Sequence, residues 1–424
     1  MYFLYSILLL LSFFVYIPIY FVKLRVLRGE SLCLRERLGF CLPEKLEKCP
    51  SIWLHAVSVG EVLSLQNLIK KIKEKHPDWV IYFSTLTITG MQIAKNKLHG
   101  VDRFFFIPMD FNVIVKRFFK QLDPNLFILA ESEFWPNLLR QAKKNNCPVI
   151  LINGRISAGS FNRYRRIKFL VKVILKNIDY FLVQTKEDRM RLEKIGVDPQ
   201  VIEVAGNLKS DVNLPLLSKN QLLQIKKSLN IPENKRVVLA GSTRKGEEEV
   251  LLQSFKKAKL KEDNLLLIIA PRHPERTPDI EKLCKSFNLK AAKRTEEKHE
   301  KHWDVLILDT LGELANFYAL CDIAFIGGSL VPWGGQNLLE PAFYEKPIFF
   351  GPHMENFSYL ARKFIQTGAA KIVNNEKELC CVFLNKNEEQ LKQMGFQAKK
   401  TLNSLQGLTE RTLAFIENMV NKNP

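Results

Sequence analysis

Short apolar runs alternate with longer amphipathic segments from residue 51 onward. The segment 62–72 is typical, because its apolar side chains recur at helical spacing with lysines on the other face. Short apolar runs predict buried strands, and helical spacing predicts helices that pack on one face. In the first half, the predicted strands lie at 52–57, 80–84, 103–108, 126–130, 149–153 and 180–184. This alternation is typical of a parallel, doubly wound α/β sheet.

A polar stretch at 207–232, punctuated by Pro215 and Pro232, interrupts the alternation. The pattern then resumes, with predicted strands at 237–240, 265–270, 305–308, 323–326, 347–350 and 371–373. A chain of 424 residues also exceeds the usual size of a single core. We therefore predict two Rossmann-like domains, at 51–210 and 232–424, with a cleft between them.

The N-terminal segment is apolar. Residues 2–22 carry no charged side chain, and about 20 such residues span a bilayer as a helix. Lys23, Arg25 and Arg28 follow at once, which favours a cytoplasmic location for the rest of the chain. We predict a transmembrane anchor at 1–22 and a basic juxtamembrane segment at 23–50. An interfacial helix is the alternative, whereas a cleaved signal peptide is disfavoured because no basic n-region precedes the apolar run.

The composition adds a strong positive charge. A formal net charge of +19 predicts an anionic partner: nucleic acid, anionic lipid or a phosphorylated substrate. Nucleic acid is disfavoured because no basic run is interleaved with base-stacking aromatic residues. The eight cysteines form no CxxC pair, so we expect reduced thiols in a cytosolic compartment and no structural metal.

Charged residues follow several predicted strands of the first half. Gly60 permits a tight turn that places Glu61 in the first turn of the next helix, where it either faces the cleft or only stabilises that helix electrostatically. Of Glu131 and Glu133, we expect one to be functional, and Glu131 is nearer the strand end. Lys209 is expected at the domain junction, where it either points into the cleft and stabilises negative charge on a leaving phosphate or is an ordinary surface lysine.

The strand ends of the second half favour a nucleotide. Gly334 and Gly335 precede an apparent helix start that carries Asn337 and Glu340, which suits phosphate at backbone N–H groups and ribose at a carboxylate. Three other turns, at 240–248, 271–276 and 309–314, have a similar composition. Neither the GxxxxGK[ST] nor the GxGxxG spacing is present, so ATP hydrolysis and hydride transfer are not supported.

Seven motifs and the segment 334–341 occur in a fixed order along the chain; the motifs are HAVSVGE, AESEFWPN, NGRIS, GNLKSD, GSTRKGEE, PRHPER and DTLGEL. In sequence and order they resemble the Kdo (3-deoxy-D-manno-octulosonic acid) transferase family. The resemblance covers almost the whole chain. It implies a GT-B fold and an inverting transfer of Kdo from CMP-Kdo to the lipid A precursor (lipid IVA) in lipopolysaccharide synthesis. It also implies no metal or other cofactor, and a location at the bacterial inner (cytoplasmic) membrane.

The resemblance also implies residue roles. Glu61 matches the general base, and Glu131 and Lys209 match positions that stabilise the transition state. The matching CMP-binding positions are Pro271, Arg272, Leu311, Gly312, Glu313, Asn337, Leu338, Leu339 and Glu340, to which we add His273 as a donor to phosphate. The chain departs from the family at Gln336 and Leu338, where His and Pro are usual. Two alternatives stay open: another GT-B enzyme that uses a UDP-sugar on a lipid acceptor, and a membrane-tethered anion-binding protein.

Overall fold

The computed structural model describes residues 2, 5–12, 33–47, 50–212, 214–296 and 302–421. The chain divides into two compact units. The first comprises Met1–Asp211 with Gly407–Pro424, and the second comprises Val212–Gln406.

The first unit contains a parallel sheet of seven strands in the order β3-β2-β1-β4-β5-β6-β7. The strands are β1 (Ser51–His55), β2 (Val80–Thr85), β3 (Arg103–Phe106), β4 (Leu126–Ala130), β5 (Val149–Gly154), β6 (Tyr180–Val183) and β7 (Ile202–Val204). Its helices are Leu34–Arg37, Val59–Ser64, Gln66–Lys75, Ile88–Lys97, Asn112–Leu122, Pro136–Lys144, Ala158–Arg166, Lys168–Leu175, Lys186–Ile195 and Leu408–Asn421, with short 3-10 turns at Pro199–Val201 and Leu208–Ser210.

Apolar layers cover both faces of this sheet. Trp53 of β1 is fully buried, and its ring lies 4.8–5.4 Å from those of Phe105, Phe119 and Phe127. Such continuous apolar strands are expected where helices cover a parallel sheet on both sides. The strand order reverses between β1 and β4, and ligands bind outside the carboxyl ends of strands at such a switch point.

The second unit has a parallel sheet of the same size, in the order β10-β11-β9-β8-β12-β13-β14. The strands are β8 (Arg236–Thr243), β9 (Leu265–Pro271), β10 (Ala291–Lys293), β11 (Val305–Ile307), β12 (Ile323–Ile326), β13 (Ile348–Phe350) and β14 (Ala370–Ile372). Its helices are Lys219–Ser228, Glu247–Lys259, Thr277–Ser286, Leu314–Leu320, Leu339–Phe343, Ser358–Gln366, Glu376–Phe383 and Glu388–Asn403, with 3-10 turns at Pro274–Arg276 and Glu355–Phe357.

Two parallel α/β sheets confirm the doubly wound prediction, and every predicted strand is present. The pattern missed only β7 and β10 among the described strands, which have three residues each. The C-terminal helix Leu408–Asn421 belongs to the first unit, whereas the sequence pattern assigned all of 232–424 to the second domain. Its apolar side chains Leu413 and Ile416 join the core of the first unit.

Polar contacts of Asp211 and Glu417 fix this helix within the first unit. The carboxylate of Asp211 accepts hydrogen bonds from the backbone N–H groups of Gly407 (2.7 Å) and Thr409 (2.5 Å). Farther along, Glu417 Oε1 lies 2.6 Å from His76 Nε2. The helix therefore packs beside Gln66–Lys75 and covers the apolar face of the first sheet.

Most of the predicted anchor at 1–22, and much of the juxtamembrane segment at 23–50, lies outside the described residues. Residues 5–12 are helical. Over the part of the chain that the structure describes, no helix is long and apolar enough to cross a membrane. Two polar side chains of this N-terminal segment contact the rest of the first unit. Tyr2 Oη lies 2.9 Å from Asn177 Nδ2, and Ser6 Oγ lies 3.3 Å from Asn137 Nδ2.

Candidate active site

Glu61 lies just beyond β1, in the first turn of the helix Val59–Ser64. Ser58 caps this helix, since its Oγ accepts a hydrogen bond from the Glu61 N–H at 3.3 Å. The Glu61 carboxylate in turn accepts from the Val57 N–H and from the Ser58 hydroxyl, both at 2.8 Å. Ser58 thus caps the helix, and the Glu61 side chain bonds back to the two residues that precede the helix. The cap fixes the carboxylate at the carboxyl end of the sheet.

The surroundings of Glu61 make it a stronger base. Burial raises the pKa of this carboxyl, and the charge of Glu131 raises it further, while the hydrogen bonds from Val57 and Ser58 oppose the shift. The net pKa lies above the usual value. A carboxylate whose pKa moves toward neutrality accepts a proton more readily in a transition state.

Lys209 and Glu131 form an ion pair beside this turn. Lys209 Nζ lies 3.3 Å from Glu131 Oε1, with both side chains partly exposed. A Cβ on Gly60 would lie 3.6 Å from Lys209 Nζ, so the ammonium group lies over the turn that carries Glu61. The structure thus brings together Glu61, Glu131 and Lys209, which sequence reasoning had placed on three separate motifs.

The backbone on which these two side chains stand is well constrained. Glu131 has a φ of 63°, in the left-handed region that a non-glycine residue rarely occupies. The turn Leu208–Ser210 is held by Asn153 Oδ1, which accepts from the Leu208 N–H at 3.1 Å. Asn207 Oδ1 accepts from the Lys209 N–H at 2.9 Å.

Glu133 is a member of this cluster that sequence reasoning did not choose. Burial raises the pKa of its carboxyl, and the charges of Glu61 and Glu131 raise it further. The sequence feature that could have indicated Glu133 is the Glu-Ser-Glu run directly after an apolar strand. Three carboxyl groups and one ammonium group therefore share this edge of the first sheet.

In the second unit, the predicted nucleotide residues lie at the carboxyl ends of β9, β11 and β12 or follow them; β11 is adjacent to β9, and β8 lies between β9 and β12. The helix Leu339–Phe343 begins at Leu339, with Gly334 and Gly335 in the preceding loop. Asn337 Oδ1 accepts from the Leu339 N–H at 3.0 Å, and Asn337 Nδ2 lies 3.4 Å from Glu340 Oε1. Burial raises the pKa of Glu340.

The residues predicted to bind the nucleotide differ in whether they present backbone groups or side chains to a ligand. The side chains of Leu338 and Leu339 are buried in the apolar core, and Pro271 is buried too, so these positions present backbone groups. Leu311, in contrast, is 79% exposed. Arg272 is exposed and continues the strand with an N–H bond to Thr243 O at 3.0 Å.

Two further residues of the predicted nucleotide site, Glu313 and His273, already make polar contacts within the protein. The carboxylate of Glu313 accepts from Thr310 Oγ1 at 2.5 Å and pairs with Arg294 Nη2 at 3.1 Å. Gly312, beside it, has a φ of 89°, a conformation that glycine adopts without strain. His273 Nδ1 faces a carboxylate and its Nε2 faces an arginine, so both ring nitrogens are engaged.

Residues 33–212 match the family model for 3-deoxy-D-manno-octulosonic-acid transferase (kdotransferase). A 3-deoxy-D-manno-octulosonic acid transferase from Haemophilus influenzae is 31% identical over 396 residues, which cover 92% of each chain. The chain belongs to the Kdo transferase family. This confirms the resemblance drawn from the motifs, and it makes the protein a glycosyltransferase.

One further sequence relative and one solved structure are similar to this chain. A bifunctional glycosyltransferase/methyltransferase from Fusobacterium nucleatum is 36% identical over 77% of this Kdo transferase, which spans 51% of that protein's length. The crystal structure of a glycosyltransferase from Rickettsia africae shares the fold, with a TM-score of 0.59 at 14% identity over 88% of this chain and 99% of that one.

Proposed function

We propose that this Kdo transferase moves Kdo from CMP-Kdo to the lipid A precursor (lipid IVA) in lipopolysaccharide synthesis, with inversion at the anomeric carbon. The observation that carries the proposal is the buried, hydrogen-bonded carboxylate of Glu61 beside the Lys209–Glu131 pair. That arrangement combines a base and a cation at the carboxyl end of one sheet.

In the proposed reaction, Glu61 takes the proton from an acceptor hydroxyl as its oxygen attacks the anomeric carbon of Kdo. The new C–O bond forms while the bond from that carbon to the CMP phosphate oxygen breaks, and CMP leaves with the electron pair. A single displacement of this kind inverts the anomeric carbon. The raised pKa of Glu61 suits it to this step, because a general base is most effective when its pKa approaches the working pH.

Lys209 would stabilise the negative charge that develops during the transfer. Its ammonium group is held 3.3 Å from Glu131, so it is oriented before substrate arrives. A charge that is fixed in advance stabilises a transition state without the cost of reorganisation. Glu131 accordingly acts as a positioning residue for Lys209 and also raises the pKa of Glu61 through its charge.

The donor would bind the second unit. Arg272 would meet its phosphate, and Glu340 would accept the ribose hydroxyls. Backbone groups at 271, 311–313 and 337–339 would complete the nucleotide site. Transfer would proceed without metal or other cofactor, with the ammonium group of Lys209 supplying positive charge to the transition state.

The proposal places the enzyme on the cytoplasmic face of the bacterial inner membrane. An uncharged segment at 2–22 followed by basic residues supports this location, as does a net charge of +19 opposite anionic lipid. The phosphates of the lipid A precursor add further negative charge for the basic protein to attract.

Thermal unfolding with nucleotides tests the donor assignment. We expect CMP to raise the melting temperature of the full chain, because a ligand that binds only the folded state stabilises it. CMP at about 100 times its Kd contributes about 2.7 kcal/mol. Stabilisation by UDP or UDP-sugars, with none by CMP, would contradict the donor assignment and favour a UDP-sugar-dependent enzyme.

A further inference from the structure

Arg244, which directly follows β8, lies between an indole ring and an imidazole ring. Its guanidinium carbon lies 4.8 Å from the centroid of Trp333, and Nη1 lies 2.9 Å from His273 Nε2. The Nδ1 of His273 lies 3.1 Å from Glu275 Oε1, so Nδ1–H donates there and Nε2 accepts from Arg244. These two neighbours fix the plane of the guanidinium group.

Among the described residues, no carboxylate forms an ion pair with the guanidinium group of Arg244, although the charge of nearby Glu247 interacts with it favourably. The Nε of Arg244 is buried without a hydrogen-bond partner. Nearby Arg276 differs, because it makes a bidentate pair with the buried Glu248 at 2.7 and 3.1 Å. Burial and the charge of Arg272 lower the pKa of Arg244. An arginine placed beside another without a carboxylate gains stability from an anion.

A buried carboxylate builds this site. Glu247 is 0% exposed, and it accepts backbone N–H bonds from Arg244 (2.9 Å), Ser329 (2.8 Å) and Leu330 (2.8 Å). It therefore ties the loop of Arg244 to the start of the loop that carries Trp333. On the other side, the Trp333 carbonyl accepts from Asn356 Nδ2 at 3.1 Å.

Gln336, where the chain departs from its family, borders the same place. A Cβ on Gly328 would lie 3.5 Å from Gln336 Nε2 and 3.6 Å from Arg244 Cγ. The loop closes through the Gly335 N–H, which donates to Gly328 O at 2.7 Å. Arg244, Trp333 and Gln336 thus lie around one short segment at the carboxyl ends of β8 and β12.

We propose that Arg244, oriented by Trp333 and His273, binds an anionic group on the anomeric carbon of the donor sugar. In CMP-Kdo this carbon carries both the phosphate and a carboxylate, and Arg244 would supply a positive charge to them near Arg272. The inference rests on the proposed donor. It assigns binding to a residue outside the nucleotide positions that the family resemblance implies, and it gives Trp333 a positioning role through its ring face.

The test measures CMP affinity by calorimetry and the KM for CMP-Kdo in the full-length enzyme, for Arg244→Gln, Trp333→Ala and Trp333→Phe. Arg236→Gln is the matched control, since it removes the same charge at the opposite end of β8. A hydrogen-bonded ion contact contributes about 1.5–3 kcal/mol, so Arg244→Gln should weaken binding about 10-fold or more. Trp333→Ala should weaken binding about 2- to 5-fold, and Trp333→Phe should retain most of it.

The two arms distinguish the anions. If Arg244 binds the phosphate, Arg244→Gln weakens both CMP and CMP-Kdo; if it binds the carboxylate, only the KM for CMP-Kdo rises. Either result supports the inference. Values within about 2-fold of the wild type for both ligands would overturn it, provided that the wild type binds CMP. A wild type that neither binds CMP nor uses CMP-Kdo would instead overturn the donor assignment itself. If Arg244→Gln does not fold, Arg244→Lys replaces it: lysine keeps the charge but loses the planar guanidinium group, so it should weaken the same ligand by a smaller factor, and unchanged values for both ligands would overturn the inference.

Discussion

Glu61→Gln is the substitution that isolates the proposed base. The amide has nearly the same shape as the carboxylate. Its oxygen can still accept a hydrogen bond from the Val57 N–H, which lies 2.8 Å from Glu61 Oε2 in the wild type. Its NH₂ group can donate to Ser58 Oγ in place of the bond that the carboxylate accepts at 2.8 Å. The local hydrogen bonds are conserved in number, so the free energy of unfolding should change by less than about 1 kcal/mol.

The expected effect on the rate is much larger. General-base catalysis contributes roughly 10²- to 10⁴-fold, which corresponds to about 2.7–5.4 kcal/mol of the activation free energy. The assay is the initial rate of Kdo transfer at saturating CMP-Kdo and acceptor, with CMP affinity measured in parallel. We expect kcat to fall by that factor while the Kd for CMP stays within about 2-fold of the wild type.

Glu133→Gln is the control, because it removes a carboxylate from the same cluster that is not assigned to proton transfer. Its rate should fall by less than about 10-fold. The reasoning is refuted if Glu61→Gln retains more than about a tenth of the wild-type kcat, or if the two variants lose equal activity.

Four further predictions concern Lys209, Glu131, Gly241 and the dependence on metal. Lys209→Ala should lower kcat more than it raises the KM for CMP-Kdo in initial-rate assays, and equal changes would argue against transition-state stabilisation. Glu131→Gln removes a charge that raises the pKa of the base, so the acid limb of the kcat/KM profile should move to lower pH; an unmoved limb would contradict the coupling. Gly241→Ala places a Cβ in steric conflict with the buried Tyr318 Oη and should cost about 1–3 kcal/mol in denaturant unfolding, whereas Gly60→Ala, with its nearest contact at 3.6 Å, should not. Treatment with EDTA should leave the rate unchanged, and a loss restored by added divalent cation would contradict transfer without a metal.

The fold followed from the sequence wherever the apolar runs were long. A buried parallel strand reads as a continuous apolar run, so the central strands were predictable. The edge strands Ile202–Val204 and Ala291–Lys293 have three residues each and include charged side chains, so their pattern does not differ from a loop. The helix Leu408–Asn421 was predictable as an amphipathic element, but its apolar face does not state which of two cores it covers.

The candidate site shows a similar division. Glu61 is recognisable in the sequence because it follows a strand and a glycine, and because it lies three residues after Ser58, the spacing of a helix N-cap. Glu247 does not, because it begins a run of three glutamates that resembles a solvated helix start. Its complete burial and its bonds to the 328–330 loop depend on residues more than 80 positions away, as does the stacking of Arg244 on Trp333. Such pairings arise from the strand order β8-β12, which local pattern does not encode.

Mass spectrometry of the lipid product tests the central claim most directly. The full-length enzyme is incubated with lipid IVA and CMP-Kdo, and parallel reactions contain UDP-sugars or Glu61→Gln enzyme. We predict lipid IVA that is heavier by one or more whole Kdo residues, formed only with CMP-Kdo and strongly reduced in the Glu61→Gln reaction. Unmodified lipid IVA with CMP-Kdo, together with a hexose- or N-acetylhexosamine-bearing product from a UDP-sugar, would contradict the account.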